Sequence, residues 1–292
     1  MAKKHDIIWL DSIDSTNEEA KRHISDIDNL SVLSAYEQTE GRGQRGNTWT
    51  STPGENLMFS IVLKFSDMSA DGGSVVLPPL PARDQFVLNE IASLSVADFL
   101  SQHGISARIK WPNDIYVGSK KICGILIENS LRGSGISSSI IGIGLNINQR
   151  NFDVNLPNPT SLALCQPEST YEIHQCLEEF MDIFRSYVSR LMDYGKWDSL
   201  RESYLSKLWR LNEQAIFIDY TSLPSGFHEG PMNISAAGSA SCSPGFPGQT
   251  APAGRPFTGI IRGLSPIGHL LVEDTEKGEL KEFAFKEIGY IL

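Results

Sequence analysis

Lys110-Trp111-Pro112-Asn113-Asp114-Ile115-Tyr116-Val117-Gly118-Ser119-Lys120-Lys121-Ile122-Cys123-Gly124-Ile125-Leu126-Ile127-Glu128 is the stretch on which the fold turns. Pro112 pushes Trp111 into an extended conformation, and Asn113-Asp114 favours a tight local turn. Gly118-Ser119 supplies the bend between two runs of strand character, so the segment reads as a β-hairpin. Strict alternation puts Lys121, Cys123 and Ile125 on one face and Ile122, Gly124 and Leu126 on the other. A lysine beside an apolar run is costly to bury unless it meets an anion. A lone lysine at a hairpin end ordinarily points into solvent. Here Lys110, Asp114 and Gly124 accompany Lys121, and that clustering favours a site.

Two other segments bear on the same chemistry. Ile140-Ile141-Gly142-Ile143-Gly144-Leu145-Asn146-Ile147-Asn148 splits under period two. Ile141, Ile143, Leu145 and Ile147 make an apolar face, while Gly142, Gly144, Asn146 and Asn148 make a flat one. Interior glycines mark either the close approach of a ligand or a crowded packing contact. Upstream, Gly41-Arg42-Gly43-Gln44-Arg45-Gly46-Asn47-Thr48-Trp49 is a glycine-rich loop with two cationic forks. Its amides can approach an anion, and Arg42 and Arg45 can grip phosphate or carboxylate oxygens. It lacks the Gly-Lys-Ser/Thr ending of a Walker A loop. An ordinary surface turn remains open for Gly-x-Gly alone, but Trp49 could shield a bound ligand from water.

Further out, Ile7 to Leu10 reads as a strand leading into a helix from about Ser15 to Ile24, where Ser15 and Glu18 have capping-box spacing. Ser15, Thr16 and Asn17 would hold that N-terminus, which also offers amides and hydroxyls to a polar ligand; Gln38 could add a side-chain amide. Ser31 to Tyr36 and Asn56 to Phe65 are further strands, the latter with Leu57, Phe59, Ile61 and Leu63 on one face. Ser66 to Ala82 is expected to be loop. Gln85 to His103 suits an amphipathic helix stopped by Gly104. After the strands at Ser106 to Trp111, Ile115 to Val117, Lys121 to Glu128 and Ser139 to Asn148, a second capping box, Ser169 and Glu172, introduces a helix. That helix carries Ile173, Leu177, Phe180, Phe184 and Val188, and Trp197 to Trp209 is a closing helix. These elements define a first domain, residues 1–211. Ala215 to Asp219, Gly259 to Leu264, His269 to Glu273 and Phe283 to Ile288 then suit a small SH3-like β-barrel, residues 212–292. Within it, Thr221 to Pro256 is rich in Gly, Pro, Ser and Ala and reads as a mobile insertion.

Composition sets the outer limits. The chain has 292 residues, 40% hydrophobic, enough for one large domain and a small one. A net charge of -10 argues against a general nucleic-acid surface. No apolar run approaches a membrane span, and the N-terminus lacks a signal peptide pattern, so a cytoplasmic protein is expected. The four cysteines are scattered without metal spacing, the six histidines likewise, and no metal site is expected in the protein itself.

The segments Asp14-Ser15-Thr16-Asn17, Gln38 with Gly41-Arg42-Gly43, Lys110 to Asp114, Lys121 to Leu126 and Gly142 to Asn146 together resemble biotin–protein ligases, in the same order. The resemblance implies an α+β catalytic domain of the biotin–lipoate ligase type, class II synthetase-like, with a mixed or antiparallel central sheet flanked by helices. It implies activation of biotin by ATP and Mg2+ to biotinyl-5'-adenylate. Transfer to one lysine of the biotin carboxyl carrier domain of a biotin-dependent carboxylase would follow.

By that likeness Lys121 and Arg42 are catalytic. Lys121 would contact carboxylate and phosphate, and Arg42 with Gly41, Gly43, Gln44 and Arg45 would fold over the adenylate. Ser15, Thr16, Asn17 and Gln38 would read the biotin head group, and Gly124 and Gly142 leave room for its ring. Trp49 and Lys110 join the binding set, Asp114 accepts a hydrogen bond or deprotonates the incoming lysine, and Asn146 contacts phosphate or magnesium. Some relatives carry arginine where this chain has Gln44, so that role can pass to Arg45. The chain shows no helix-turn-helix segment ahead of these motifs, which argues against nucleic-acid binding, and the resemblance allows a homodimer. The alternatives are a lipoate or octanoate ligase of the same fold and a non-catalytic biotin sensor.

Overall fold

A computed structural model of the chain describes residues 7–44, 47–66, 76–221 and 254–291. It divides into two compact units, one of Met1–Gly43 with Thr48–Lys207 and one of Gln44–Asn47 with Leu208–Leu292. The larger unit is α+β, built on a mixed sheet. Its strands are β1 (Ile7–Ile13), β2 (Val32–Gln38), β3 (Leu57–Lys64), β5 (Arg108–Lys110), β6 (Asp114–Val117), β7 (Lys120–Arg132) and β8 (Gly135–Leu145). They run in the order β1-β2-β3-β8-β7-β6-β5, and the two-residue β4 (Leu80–Pro81) pairs with β8 within the expected loop. Only β1 and β2 are parallel along this path; the other neighbours are antiparallel.

Among the described residues the α-helices are α1 (Thr16–Arg22), α2 (Phe86–Gln102), α3 (Leu162–Cys165), α4 (Ile173–Val188) and α5 (Asp198–Ser206). None is long and apolar enough to cross a membrane among the described residues. One face of the sheet packs on α4, where Phe59 meets Phe180 at 5.2 Å between ring centroids and Phe99 of α2 joins at 6.4 Å. α1 covers part of the other face through Ala20 with Leu33, Val62 and Ile140.

Several expectations change here for physical reasons. β3 is buried on both sides from Leu57 to Leu63, because it lies between two strands under helices on both faces. α2 is buried nearly all round, Ser93, Ser95 and Glu90 included, so it is a core helix and not an amphipathic one. Glu90 lies inside because the Arg201 guanidinium of α5 reaches it. Neither capping box forms: the Ser15 side chain makes no cap bond, and α4 starts four residues after Ser169 with Glu172 at its N-cap. Glu18 is drawn away by Lys21 and Arg42.

The smaller unit contains β9 (Gln214–Asp219), β10 (Arg255–Leu264), β11 (Leu270–Asp274), β12 (Glu279–Phe283) and β13 (Ile288–Tyr290). They form a five-stranded antiparallel sheet in the order β12-β11-β10-β9-β13. The single strand expected from Phe283 to Ile288 is a crossing instead: the chain leaves one edge at Phe283 and returns at the other from Ile288. Lys281 bridges Asp219 at 3.3 Å and Asp274 at 3.1 Å, which ties β12 across to β9 and β11. Of the expected insertion, residues 222–253 lie outside the described residues, and its last two positions, Arg255 and Pro256, begin β10.

Candidate functional site

The hairpin β6–β7 carries an irregularity that the sequence pattern does not reveal. Asp114 pairs with Gly124 and Ile115 with Cys123, but Tyr116 pairs with Lys121, so Ile122 is an extra residue. A bulge of one residue moves every side chain beyond it to the opposite face. Lys121 therefore does not share a face with Cys123 and Ile125, as strict alternation had it. Its Nζ lies 3.3 Å from where a Cβ on Gly124 would stand, and it meets Asp114 Oδ1 at 2.7 Å. The bulge is held from outside by Asn158-Pro159-Thr160: Lys121 N–H donates to Asn158 O at 2.8 Å, and Thr160 N–H to Lys121 O at 2.9 Å. This clamp is far along the chain and carries no local pattern that could have announced it.

Cross-strand pairing extends the same face. Gly124 is opposite Gly144, and Gly142 lies between Ser60 and Leu126. The three glycines make a floor, and what lies on it shows why side chains are excluded there. A Cβ on Gly144 would stand 2.4 Å from Trp49 Cε2, one on Gly124 3.0 Å from Trp49 Cζ3, and one on Gly142 2.3 Å from Asn17 Oδ1. Trp49 thus covers one half of the floor, with Lys121 Nζ 5.7 Å from its ring centroid. The indole Nε1 is enclosed and has no hydrogen-bond partner among the described residues. Such a group calls for an acceptor.

The other half is polar. Thr16 N–H donates to Gln38 Oε1 at 2.8 Å, Ser60 Oγ lies 2.7 Å from Thr16 Oγ1 and 2.6 Å from Asn17 Oδ1, and Asn17 Nδ2 donates to Glu128 Oε2 at 2.8 Å. Ser15, Thr16, Asn17 and Ser60 are all buried. Burial raises the Glu128 carboxyl, but hydrogen bonds from Lys21 and Asn17 and the charges of Lys21 and Arg42 outweigh it and hold the group below its ordinary range. Ser60 and Glu128 escaped sequence reasoning. The signals were present: a single hydroxyl in an apolar strand, and a glutamate in alternation with Gly124 and Leu126.

The remaining expected residues fall in three places. Trp49 backbone N–H donates to Gly41 O at 2.8 Å and Arg42 pairs with Thr48 in an antiparallel β-bridge, so the two described arms of the glycine-rich loop are held together; Gly43 and Gln44 follow Arg42. A Cβ on Gly41 would stand 2.3 Å from Trp49 O. Arg45 lies outside the described residues. Arg42 is half-exposed, pairs with Glu18 and stands 3.8 Å from Glu128. It is gathered to the acidic end, not to Lys121. Lys110 joins the lysine end, its Nζ 3.3 Å from Tyr116 Oη and its strand position opposite Asp114. Asn146 stands two residues beyond Gly144, next to the bulge: it is buried, its N–H donates to Ile122 O at 3.0 Å, and its Nδ2 donates to Thr160 O at 2.9 Å, which supports the segment that clamps the bulge.

Comparison with known proteins finds relatives of this chain. The biotin/lipoate A/B protein ligase family matches residues 9–146. A biotin–[acetyl-CoA-carboxylase] ligase of Paracoccus denitrificans is 31% identical over 225 residues, 74% of this chain and 87% of that protein. Biotin–protein ligase 2 of Arabidopsis thaliana is 30% identical over 216 residues, 73% of this chain but 61% of that protein. Among solved structures, the biotin protein ligase from Aquifex aeolicus in complex with biotin and ATP matches with a TM-score of 0.69 at 25% identity, covering 98% of each chain.

Proposed function

The chain belongs to the biotin/lipoate A/B protein ligase family, and we propose that it activates biotin with ATP and passes the biotinyl group to a lysine of a carboxylase carrier domain. One observation carries this reading: a single glycine-floored face bears Lys121 and Trp49 at one end and the Thr16–Gln38–Ser60–Asn17 chain at the other. A ligand with a polar ring and an acid tail suits those two ends. In the first half-reaction a biotin carboxylate oxygen attacks the α-phosphorus of ATP and pyrophosphate leaves. Two anions must then be held together, which Lys121 supports as a charge neutraliser placed by the bulge. In the second, the carrier lysine amine attacks the acyl carbon and AMP leaves; Asp114 is near enough to Lys121 to serve as hydrogen-bond acceptor there.

Arg42 begins in the grip of Glu18, so its closure over the adenylate requires exchange of that partner. Magnesium enters with the nucleotide phosphates. The catalytic part corresponds to residues 1–211, followed by a smaller domain. The net charge of -10 supports an enzyme without a nucleic-acid partner, and a homodimer is to be settled by sedimentation.

The test is pyrophosphate exchange with Mg-ATP and biotin, followed by transfer of labelled biotin to a carrier domain. Exchange together with transfer is expected. Exchange with lipoate but not biotin would make the chain a lipoate ligase, and biotin binding without exchange would make it a sensor.

A further inference from the structure

The polar chain over Gly142 has a direction, and one residue sets it. A carboxylate only accepts hydrogen bonds, so the Asn17 atom 2.8 Å from Glu128 Oε2 must be the amide nitrogen. The carbonyl end of Asn17 is thereby turned toward Ser60 and toward the floor, with Oδ1 2.3 Å from the Cβ position of Gly142. Ser60 has one hydroxyl proton and Oδ1 can only accept, so that proton goes to Asn17. Thr16 Oγ1, 2.7 Å from Ser60 Oγ, also lies 3.2 Å from Gln38 Oε1, which can only accept, so the single Thr16 proton is shared between those two neighbours. Turning Asn17 over would set a donor against the Ser60 proton and leave Glu128 facing an oxygen.

We propose that Glu128 is a specificity-determining positioning residue: it fixes the Asn17 amide so that an acceptor, not a donor, stands over Gly142. An acceptor there selects a ligand with an N–H, such as the ureido ring of biotin. It gives nothing to a ring without one, such as a dithiolane. Glu128 need not touch the ligand, because it acts through Asn17. It also binds Lys21 at 2.7 Å and faces Arg42, so the same carboxylate links the head-group end to the glycine-rich loop.

This inference rests on the biotin–protein ligase reading, and the experiment separates the two. Biotin binding to the full chain without ATP is measured by calorimetry for wild type, Glu128→Gln, Asn17→Ala and the double variant. Glu128→Gln is expected to weaken binding about 10-fold when Asn17 is present, since a charge-assisted hydrogen bond is lost. In the Asn17→Ala background the same change is expected to cost less than about 2-fold, because nothing is left to orient. Ser60→Ala, which removes the proton that Oδ1 accepts, is expected to show the same coupling from the other side and serves if Glu128→Gln folds poorly. An equal loss in both backgrounds indicates a prop for the fold and overturns the inference. So does a Glu128→Gln chain that binds like wild type. A wild-type chain that binds no biotin overturns the ligase reading as well.

Discussion

The two faces of the central sheet use the same strands for opposite ends. On one, Phe59, Ile143 and Ile125 lie side by side across β3, β8 and β7, all buried, and Phe59 meets Phe180. On the other, one residue further along each strand, stand Ser60, Gly142 and Leu126, then Met58, Gly144 and Gly124. The first face is filled by buried apolar side chains, and the second is kept flat at its glycines by omitting Cβ atoms. A period of two lets one sequence write both messages without conflict, which is why stability and chemistry are separable within a single layer.

That separation can be broken most directly from the packed side. Phe180→Ala is expected to cost about 3–5 kcal/mol by urea unfolding, as deletion of a fully buried aromatic does, while pyrophosphate exchange per folded molecule stays at the wild-type rate. A fold of unchanged stability with lost exchange would mean that the faces are not independent. From the flat side, Lys121→Ala is expected to lower adenylate formation about 10²-fold or more with little change in unfolding, as removal of a principal charge stabiliser does. Exchange at the wild-type rate would remove Lys121 from the chemistry.

Gly144→Ala sharpens the comparison with a single methyl group. The added carbon would stand 2.4 Å from Trp49 Cε2, and Trp49 is a side chain on the glycine-rich loop that can shift. Binding of biotin with nucleotide is expected to weaken about 10-fold, the size of a modest overpacking penalty, with the unfolding midpoint nearly unchanged. Full binding with a lowered midpoint would show that the glycine serves packing instead.

How much of this was legible depended on the range over which each signal acts. The glycines at 124, 142 and 144, the apolar alternation of β8 and the cation-bearing hairpin are local patterns, and they put the floor and Lys121 on the page from residues alone. The bulge at Ile122 is imposed by Asn158 to Thr160, so period two sent Lys121 to the wrong face. Capping boxes failed at Ser15 and Ser169 because Glu18 found Lys21 and Arg42, and because α4 began later, at Ile173. Glu90 reads as a surface glutamate on an amphipathic helix; only its partner Arg201, about a hundred positions on, explains its burial. Local spacing predicts what neighbours in sequence decide, and it misses what distant residues impose.

The two glutamates give the finest test, because the two sides of the sheet shift them in opposite directions. Glu90, on the packed side, is raised from its ordinary 4.5: burial outweighs the charge and hydrogen bond of Arg201. Its native form holds a proton more tightly than the unfolded chain, so its contribution is full below about pH 4.5 and is lost as pH rises through the folded value. Glu128 is lowered from 4.5, since Lys21, Asn17 and Arg42 outweigh its burial. Its contribution is full above about pH 4.5 and is lost as pH falls through the folded value. Thermal melts from acid to neutral pH should therefore diverge. Relative to Glu90→Gln, the wild type is expected to lose stability as pH rises; relative to Glu128→Gln, it is expected to gain. If both differences carried the same sign, partners and burial would not be what distinguishes the two faces, and the charge network around Glu128 would lose its role in holding Asn17.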